Sequence, residues 1–323
     1  MKSSCVLTLL ILLSMETFAS TKTYMVVAKD SSGDFTSIQE AINATKAFPD
    51  EQVTIFIKNG IYREKVRVYS WNTDLRLVGE SAENTIITWD DHFSKINLGR
   101  NSTFHTYTLK VEANNFTAEN LTIENTAGPV GQAVALHVEG DCCAFRNIRI
   151  IGSQDALYAA GIHCRQYYKD CYIEGTTDFI FGAATAYFEN CTLHSKSNSY
   201  ITAASTPEGA VFGYVFHACK LTADEGVKAV YLGRPWRKYA QTVFIECELG
   251  NHIVPAGWKE WSNSEDLQTT FYAEYQNYGP GAKPGERVAW SRQLNDEEAN
   301  AYTLQNVFKA RIQEEISGWI TEF

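Results

Sequence analysis

Apolar and polar positions alternate along most of this chain in short runs bounded by turn residues. That period of two is the mark of strands rather than helices. Upstream, Val53–Ile57, Leu75–Val78 and Thr85–Thr88 carry it. From Phe116 onward it becomes a loose internal repeat: Phe116–Ile123, Phe145–Ile150, Tyr168–Ile173, Phe188–Leu193, Phe216–Leu221 and Phe244–Leu249. Most units read aromatic, two mainly polar residues, an apolar residue or Cys, one variable residue, then an aliphatic; the first is longer by two. Aligned on the apolar-or-Cys position, the column is Leu121, Ile148, Cys171, Cys191, Cys219 and Cys247, with steps of 27, 23, 20, 28 and 28 residues.

Repeats of this length with strand-like alternation predict a β-solenoid with one coil per repeat. The Leu-dense pattern of leucine-rich repeats is absent, and so is helical periodicity. The expected fold is all-β, a single-stranded right-handed parallel β-helix, the hand following from the right-handed crossover rule. Its open ends need covering. Phe35, Ile38 and Ile42 have helical spacing and predict an N-terminal cap; Leu304, Val307, Phe308, Ile312 and Ile316 predict a C-terminal helix within Asp296–Ile316. The N-terminus reads as a targeting segment: Lys2, an apolar run from Cys5 to Leu13 too short to span a bilayer, and small residues at Thr17 and Ala19. The expected organisation is a signal peptide over 1–19 and one catalytic domain over 20–323, secreted and without a membrane segment.

Composition narrows the chemistry. With 28 Lys and Arg against 38 Asp and Glu, the net charge of −10 argues against nucleic-acid binding. No C-x-x-C pair occurs and the His residues are scattered, so neither a metal nor a cofactor is expected. Apart from Cys5 there are seven cysteines, an odd number, which leaves at least one free thiol in an oxidising compartment. Cys171 and Cys191 share the repeat column across its shortest step. Stacked Cα atoms about 4.8 Å apart fall within disulfide range, so a Cys171–Cys191 bond is expected; Cys219 and Cys247 could pair instead or stay as apolar thiols.

The same column locates a pair of carboxylates. Asp155 lies seven residues after Ile148, and Asp178 seven after Cys171. Equal offsets in consecutive coils stack them about one strand spacing apart, roughly 4.8 Å. Two carboxylates so close cannot both ionise freely, and one pKa must rise. Asp178 stands among apolar and aromatic neighbours and needs a partner. Arg234, two coils later, is the candidate, and its charge is expected to keep Asp178 ionised. Gln154 precedes Asp155, and Gln132 opens Gln132–Leu136; such amides suit an oxyanion.

Gly60–Glu64, Gln132–Leu136, Gln154–Tyr158, Asp178–Gly182 and Leu232–Trp236 resemble, in order, the signature blocks of pectin methylesterases. The resemblance runs from about Tyr24 to the C-terminus, with Ala156 where Thr is usual. It implies metal-free hydrolysis of the methyl ester of galacturonate in pectin. Asp178 would be the nucleophile and Asp155 the acid and then the base. Gln132 and Gln154 would hold the oxyanion, and Arg234 would fix Asp178. Trp236, Trp258, Tyr158 and Phe181 are candidates to stack on sugar rings, with a core role competing for Phe181. A monomer that acts on pectin is expected. The pattern begins close to the expected cleavage site, so the inhibitory pro-region of many plant members is not expected, and a microbial or other digestive source fits. Pectate lyase or polygalacturonase chemistry and a non-catalytic wall-binding solenoid are the rivals; the motifs of the first two are incomplete, and the third does not need all five site residues.

Overall fold

A computed structural model describes residues 22–262, 267–309 and 320. The expected signal peptide lies outside the described residues. The chain winds as a right-handed parallel β-helix with three sheets of 11, 8 and 7 strands. Each complete coil places one strand in each sheet. One coil runs Cys143–Arg146, Arg149–Ile151 and Leu157–Ala159, and the next begins at Arg165. The upstream strands Val53–Ile57, Leu75–Gly79 and Thr85–Trp89 belong to earlier coils, as their alternation predicts.

The register reproduces the repeat column. Arg149 pairs with Thr122 and Tyr172, Tyr172 with Thr192, Thr192 with Lys220, and Lys220 with Glu248. The preceding residues, Leu121, Ile148, Cys171, Cys191, Cys219 and Cys247, therefore stack one per coil, all buried. Inside, the aromatics of the repeat form a ladder. Ring centroids lie 4.9 Å apart for Phe145–Tyr168, 4.6 Å for Tyr168–Phe188 and 4.4 Å for both Phe188–Phe216 and Phe216–Phe244, with planes within 12° of parallel. In the first, longer repeat Ala118 takes the register place opposite Phe145, yet the ring of Phe116 still reaches Phe145 at 5.9 Å.

A single residue turns the chain from the first sheet into the second. Asn120, Asn147, Asp170 and Asn190 hold it with φ near +50°, where short polar side chains are tolerated. Asn147 donates to Asn120 at 2.7 Å and Asn190 to Asp170 at 2.6 Å, so these turns are tied along the axis.

The expected disulfide is not formed: Cys171 and Cys191 are separate thiols. The parallel register accounts for this. Stacked residues project their Cβ atoms side by side into the core rather than toward each other, and each Sγ donates to backbone carbonyls, Cys171 to Phe145 at 3.4 Å and Cys191 to Tyr168 at 3.4 Å.

At the N-terminal end the helix Ile38–Asn43 seats Ile38, Ala41 and Ile42 in the core, capped by Ser37. At the other end the expected long helix is broken. Asp296–Ala299 and Leu304–Lys309 are separated by extended Thr303, and Ile312 and Ile316 lie outside the described residues. Val307 and Phe308 instead cover Tyr167 and Tyr187 on the outer face of the 11-stranded sheet. Among the described residues no helix is long and apolar enough to cross a membrane.

Candidate active site

The turn from the second sheet into the third carries the candidate chemistry. Leu136, Leu157 and Ile180 are in register, so Asp155 and Asp178, each two residues earlier, occupy equivalent places. The backbone locks them there. Asp155 N–H donates to Thr177 O at 3.1 Å, and Asp178 N–H to Tyr200 O at 2.8 Å. Both adopt positive φ, 64° and 49°, a conformation that Asp tolerates better than most residues. Each is preceded at three residues by a glycine in a tight approach. A Cβ on Gly152 would lie 2.7 Å from the Cβ of Ala156, and one on Gly175 would lie 2.3 Å from that of Phe179. The recurring Gly-x-x-Asp is thus a steric requirement of this turn.

The two carboxylates have different surroundings. Arg234 grips Asp178 with two bonds, Nε to one oxygen at 3.0 Å and Nη2 to the other at 2.6 Å. No donor among the described residues reaches the carboxyl of Asp155. Burial and the charge of Asp178 push Asp155 well above the usual carboxylate range. Burial also lifts Asp178 above its ordinary value, with Arg234 pulling against it. The expectation that Arg234 fully offsets the burial of Asp178 is therefore corrected: desolvation is the larger effect. The order survives, with Asp155 holding its proton the more tightly.

Both aspartates line one pocket of about 250 Å³ with Gln132, Gln154, Phe181, Arg234 and Trp236. Gln132 and Gln154 form an isolated parallel bridge, so their side chains start from equivalent places on adjacent coils. One row of the third sheet, Arg67, Lys110, His137, Tyr158, Phe181 and Ala203, is in register, and Phe181 and Ala203 of that row line the pocket. Tyr158 stacks on Phe181 at 4.4 Å, and Phe181 meets Trp236 edge-on at 5.9 Å. Trp258 does not belong to this set. It is fully buried inside the coil, edge-on to Tyr272 at 4.8 Å, so its expected stacking on a sugar ring is corrected.

Sequence reasoning missed several contributors. The guanidinium of Arg234 is sandwiched between the rings of Trp261 at 3.9 Å and Tyr200 at 4.0 Å. Arg100, Thr103 and Phe104 reach the same pocket from a 3₁₀ helix over Gly99–His105. Only Tyr200 had a usable signal, since it lies in register with Asp178 one coil later.

A buried carboxylate held by arginine, an unpaired carboxyl beside it and two amides nearby form a constellation suited to acyl transfer. The pectinesterase family model matches residues 24–311. The chain belongs to the pectinesterase family. It is a carboxylic ester hydrolase. Pectinesterase 31 of Arabidopsis thaliana is 40% identical over 284 residues, covering 85% of this chain and 89% of that protein. The pectinesterase/pectinesterase inhibitor PPE8B of Prunus persica is 38% identical over 82% of this chain, which spans 52% of that longer protein. The solved pectin methylesterase from carrot superposes with a TM-score of 0.83 at 33% identity, covering 88% of this chain and 92% of its own. A pectin methylesterase solved in complex with a hexasaccharide gives a TM-score of 0.77 at 29% identity, covering 90% and 98%.

Proposed function

We propose that this pectinesterase removes methyl esters from the galacturonate units of pectin, with Asp178 as nucleophile and Asp155 as general acid and then base. The observation that carries the reading is the asymmetry of the pair: Asp178 bound at both oxygens by Arg234, Asp155 unpaired one coil away in the same pocket. The fork holds Asp178 ionised and oriented for attack, while burial beside that charge keeps Asp155 protonated.

In the first half-reaction an oxygen of Asp178 adds to the ester carbonyl carbon. The amides of Gln132 and Gln154 carry the resulting oxyanion. Collapse breaks the bond to the methoxy oxygen, which takes the proton of Asp155 and leaves as methanol. The acyl group now sits on Asp178 as a mixed anhydride, and Asp155 is ionised. Water then adds to the acyl carbon and gives its proton to Asp155. Expulsion of the Asp178 carboxylate frees the substrate acid and restores both groups.

Trp236, Tyr158 and Phe181 provide a ring surface along the floor for a chain of sugars. The polysaccharide substrate follows from the family and from the hexasaccharide held by a structural neighbour. Every named group comes from one chain, so a monomer suffices. Secretion rests on the N-terminal pattern of Lys2 and the apolar run Cys5–Leu13, and N-terminal sequencing of the exported protein checks it.

One assay on highly methylated pectin tests the function. Methanol release is expected. Unsaturated ends would indicate a lyase, new reducing ends a glycosidic hydrolase, and binding without any product a wall-binding solenoid. Asp178→Asn, shown folded by circular dichroism, is expected to release no methanol; near-normal turnover would overturn the assigned nucleophile.

A further inference from the structure

Asn125 ends the second-sheet strand Thr122–Asn125 and is almost wholly buried. In the next two coils the same place is glycine. Glu124 pairs with Ile151 and Ile151 with Glu174, so Asn125, Gly152 and Gly175 are equivalent. The coil of Asn125 turns differently from its successors. Gln132 is bridged to Gln154, and seven residues separate Asn125 from Gln132 against two between Gly152 and Gln154. This longer excursion has to be brought back to a fixed point before Gln132 can stand beside Gln154.

The amide of Asn125 supplies that point. Its Nδ2 lies 2.9 Å from Asp91 O, 3.0 Å from Val134 O and 3.1 Å from Thr106 O, and its Oδ1 accepts from Ala127 N–H at 3.0 Å. Two hydrogens serve the three carbonyls, so one bond is shared. The carbonyls belong to three separate segments, and each leads to the pocket. Phe93, two residues past Asp91, donates its N–H to Gln132 O at 2.9 Å. Val134, two residues past Gln132, is fully buried against Phe181 and Ala203 of the pocket. Thr106, also fully buried, accepts from Val134 N–H at 2.9 Å and donates to Thr103 O at 2.8 Å, in the 3₁₀ helix that carries Thr103 and Phe104 into the pocket. Gln132 is thus held on both sides by segments that meet on one side chain behind the pocket wall.

A buried, hydrogen-bonded asparagine is ordinarily a staple for the fold alone. Here the groups it ties are the immediate supports of Gln132, whereas the grip on Asp178 comes from Arg234, on a later coil. Loss of the amide would leave buried carbonyls unpaired, and the backbone that moves to relieve them carries Gln132. We propose that Asn125 is a positioning residue for the oxyanion site: it fixes the backbone of Gln132 so that the Gln132 amide meets the charge that develops on the ester oxygen. It therefore acts on kcat rather than on binding. The inference rests on the role given to Gln132 in the function proposed above.

The test measures methanol release by Asn125→Ala, Gln132→Ala and the double variant, each shown folded by circular dichroism. Asn125→Ala is expected to lower kcat about 10- to 100-fold, the cost of misplacing one transition-state contact, with KM changed less than about 2-fold. In the Gln132→Ala background the same change should cost little more, because the group it positions is gone. Equal losses in both backgrounds would make Asn125 a staple only and overturn the inference. Asn72→Ala is the control: it removes another buried amide, one that accepts from Tyr69 N–H at 3.0 Å and donates to Thr45 at 2.9 Å. It should keep kcat, and a loss matching that of Asn125→Ala overturns the inference as well. Should Asn125→Ala not fold, Thr106→Val carries the same comparison, since it removes the hydroxyl that accepts from Val134 N–H. A smaller loss in the same direction is expected, and an unchanged kcat overturns the inference. Full kcat in Asn125→Ala beside a reduced kcat in Gln132→Ala overturns this inference alone. Full kcat in Gln132→Ala removes the oxyanion role from the proposed function, and this inference with it.

Discussion

Asp155 and Asp178 stand at the same register position of consecutive coils, and only Asp178 is gripped by arginine. The solenoid gives the two residues equivalent backbone positions, both at positive φ, so the difference between them lies chiefly in what surrounds the side chains. Burial raises the proton affinity of both; a guanidinium from a later coil pulls against that rise at Asp178, and the charge of Asp178 adds to it at Asp155.

The roles make the pH profile predictable. On the proposed roles, activity needs Asp178 ionised and Asp155 protonated, so kcat/KM is expected to rise as Asp178 ionises and to fall as Asp155 loses its proton. Burial already lifts Asp178 above the ordinary carboxylate value, and Arg234 limits that rise. Arg234→Lys keeps the charge but loses the two-pronged contact. The acid limb of the profile is expected to move to higher pH, with a lower plateau. Asp155→Asn loses the proton donor and is expected to cost about 10²- to 10⁴-fold in kcat. An acid limb that stays in place in Arg234→Lys would detach Asp178 from it.

Trp261 is expected to matter through Arg234. Its ring is 39% exposed and covers one face of the guanidinium. A cation–π contact at an exposed site contributes about 0.5–1 kcal/mol. Trp261→Ala should therefore lower kcat/KM about 2- to 5-fold and shift the acid limb in the same direction as Arg234→Lys. Trp261→Phe, which keeps a ring, should recover most of both effects. A change in KM alone would make Trp261 a sugar contact instead.

The coil architecture was legible because a solenoid writes its geometry into the spacing of its residues. One column, Leu121 to Cys247, was enough to bring Asp155 and Asp178 together across 23 residues of sequence. Trp258 was misplaced for the same kind of reason. An aromatic residue has the same letter whether it faces the core or the groove, and Trp258 follows a turn at Gly257 rather than a repeat unit that would fix its direction. Trp261 and Phe104 were missed because each lies on a loop outside the repeat, where spacing carries no register. The disulfide expectation failed on direction rather than distance, since equal columns give parallel Cβ vectors.

Trp258 now belongs to the stability of the helix end. It is fully buried between Phe244 and Tyr272. Replacing such a residue by alanine removes its burial and leaves a cavity, at about 3–5 kcal/mol. Trp258→Ala is expected to lower the unfolding free energy obtained from urea titration by that amount. Folded enzyme at low temperature should keep a KM on pectin close to normal. A selective rise in KM with unchanged stability would return Trp258 to the substrate.

The interior thiols offer a chemical check. Cys171, Cys191 and Cys219 are buried, and burial pushes each thiol well above its usual value. The thiolate is the reactive form, so these three should resist alkylation in the native protein. In denaturant without reductant, all three should be alkylated at once. Recovery of a cross-linked Cys171–Cys191 peptide would contradict the separate thiols.

The acid pair also bears on stability, because an active site that holds buried carboxyls works against its own fold. The folded-state pKa of Asp155 lies above its unfolded value. The folded protein therefore binds the proton more tightly than the unfolded chain. At pH below the unfolded value of 3.8 both states carry it, and the shift costs nothing relative to that limit. As pH rises from there toward the folded-state pKa, the unfolded chain ionises while folded Asp155 cannot do so as easily, and stability is lost progressively. Asparagine at this position cannot ionise in either state. Asp155→Asn should therefore raise Tm relative to the unmodified enzyme at neutral pH, and the gain should shrink as the pH is lowered toward 4, as followed by thermal melts across that range. A gain that grows on acidification would mean that Asp155 is stabilised in its charged form, and the assignment of the proton donor would fail with it.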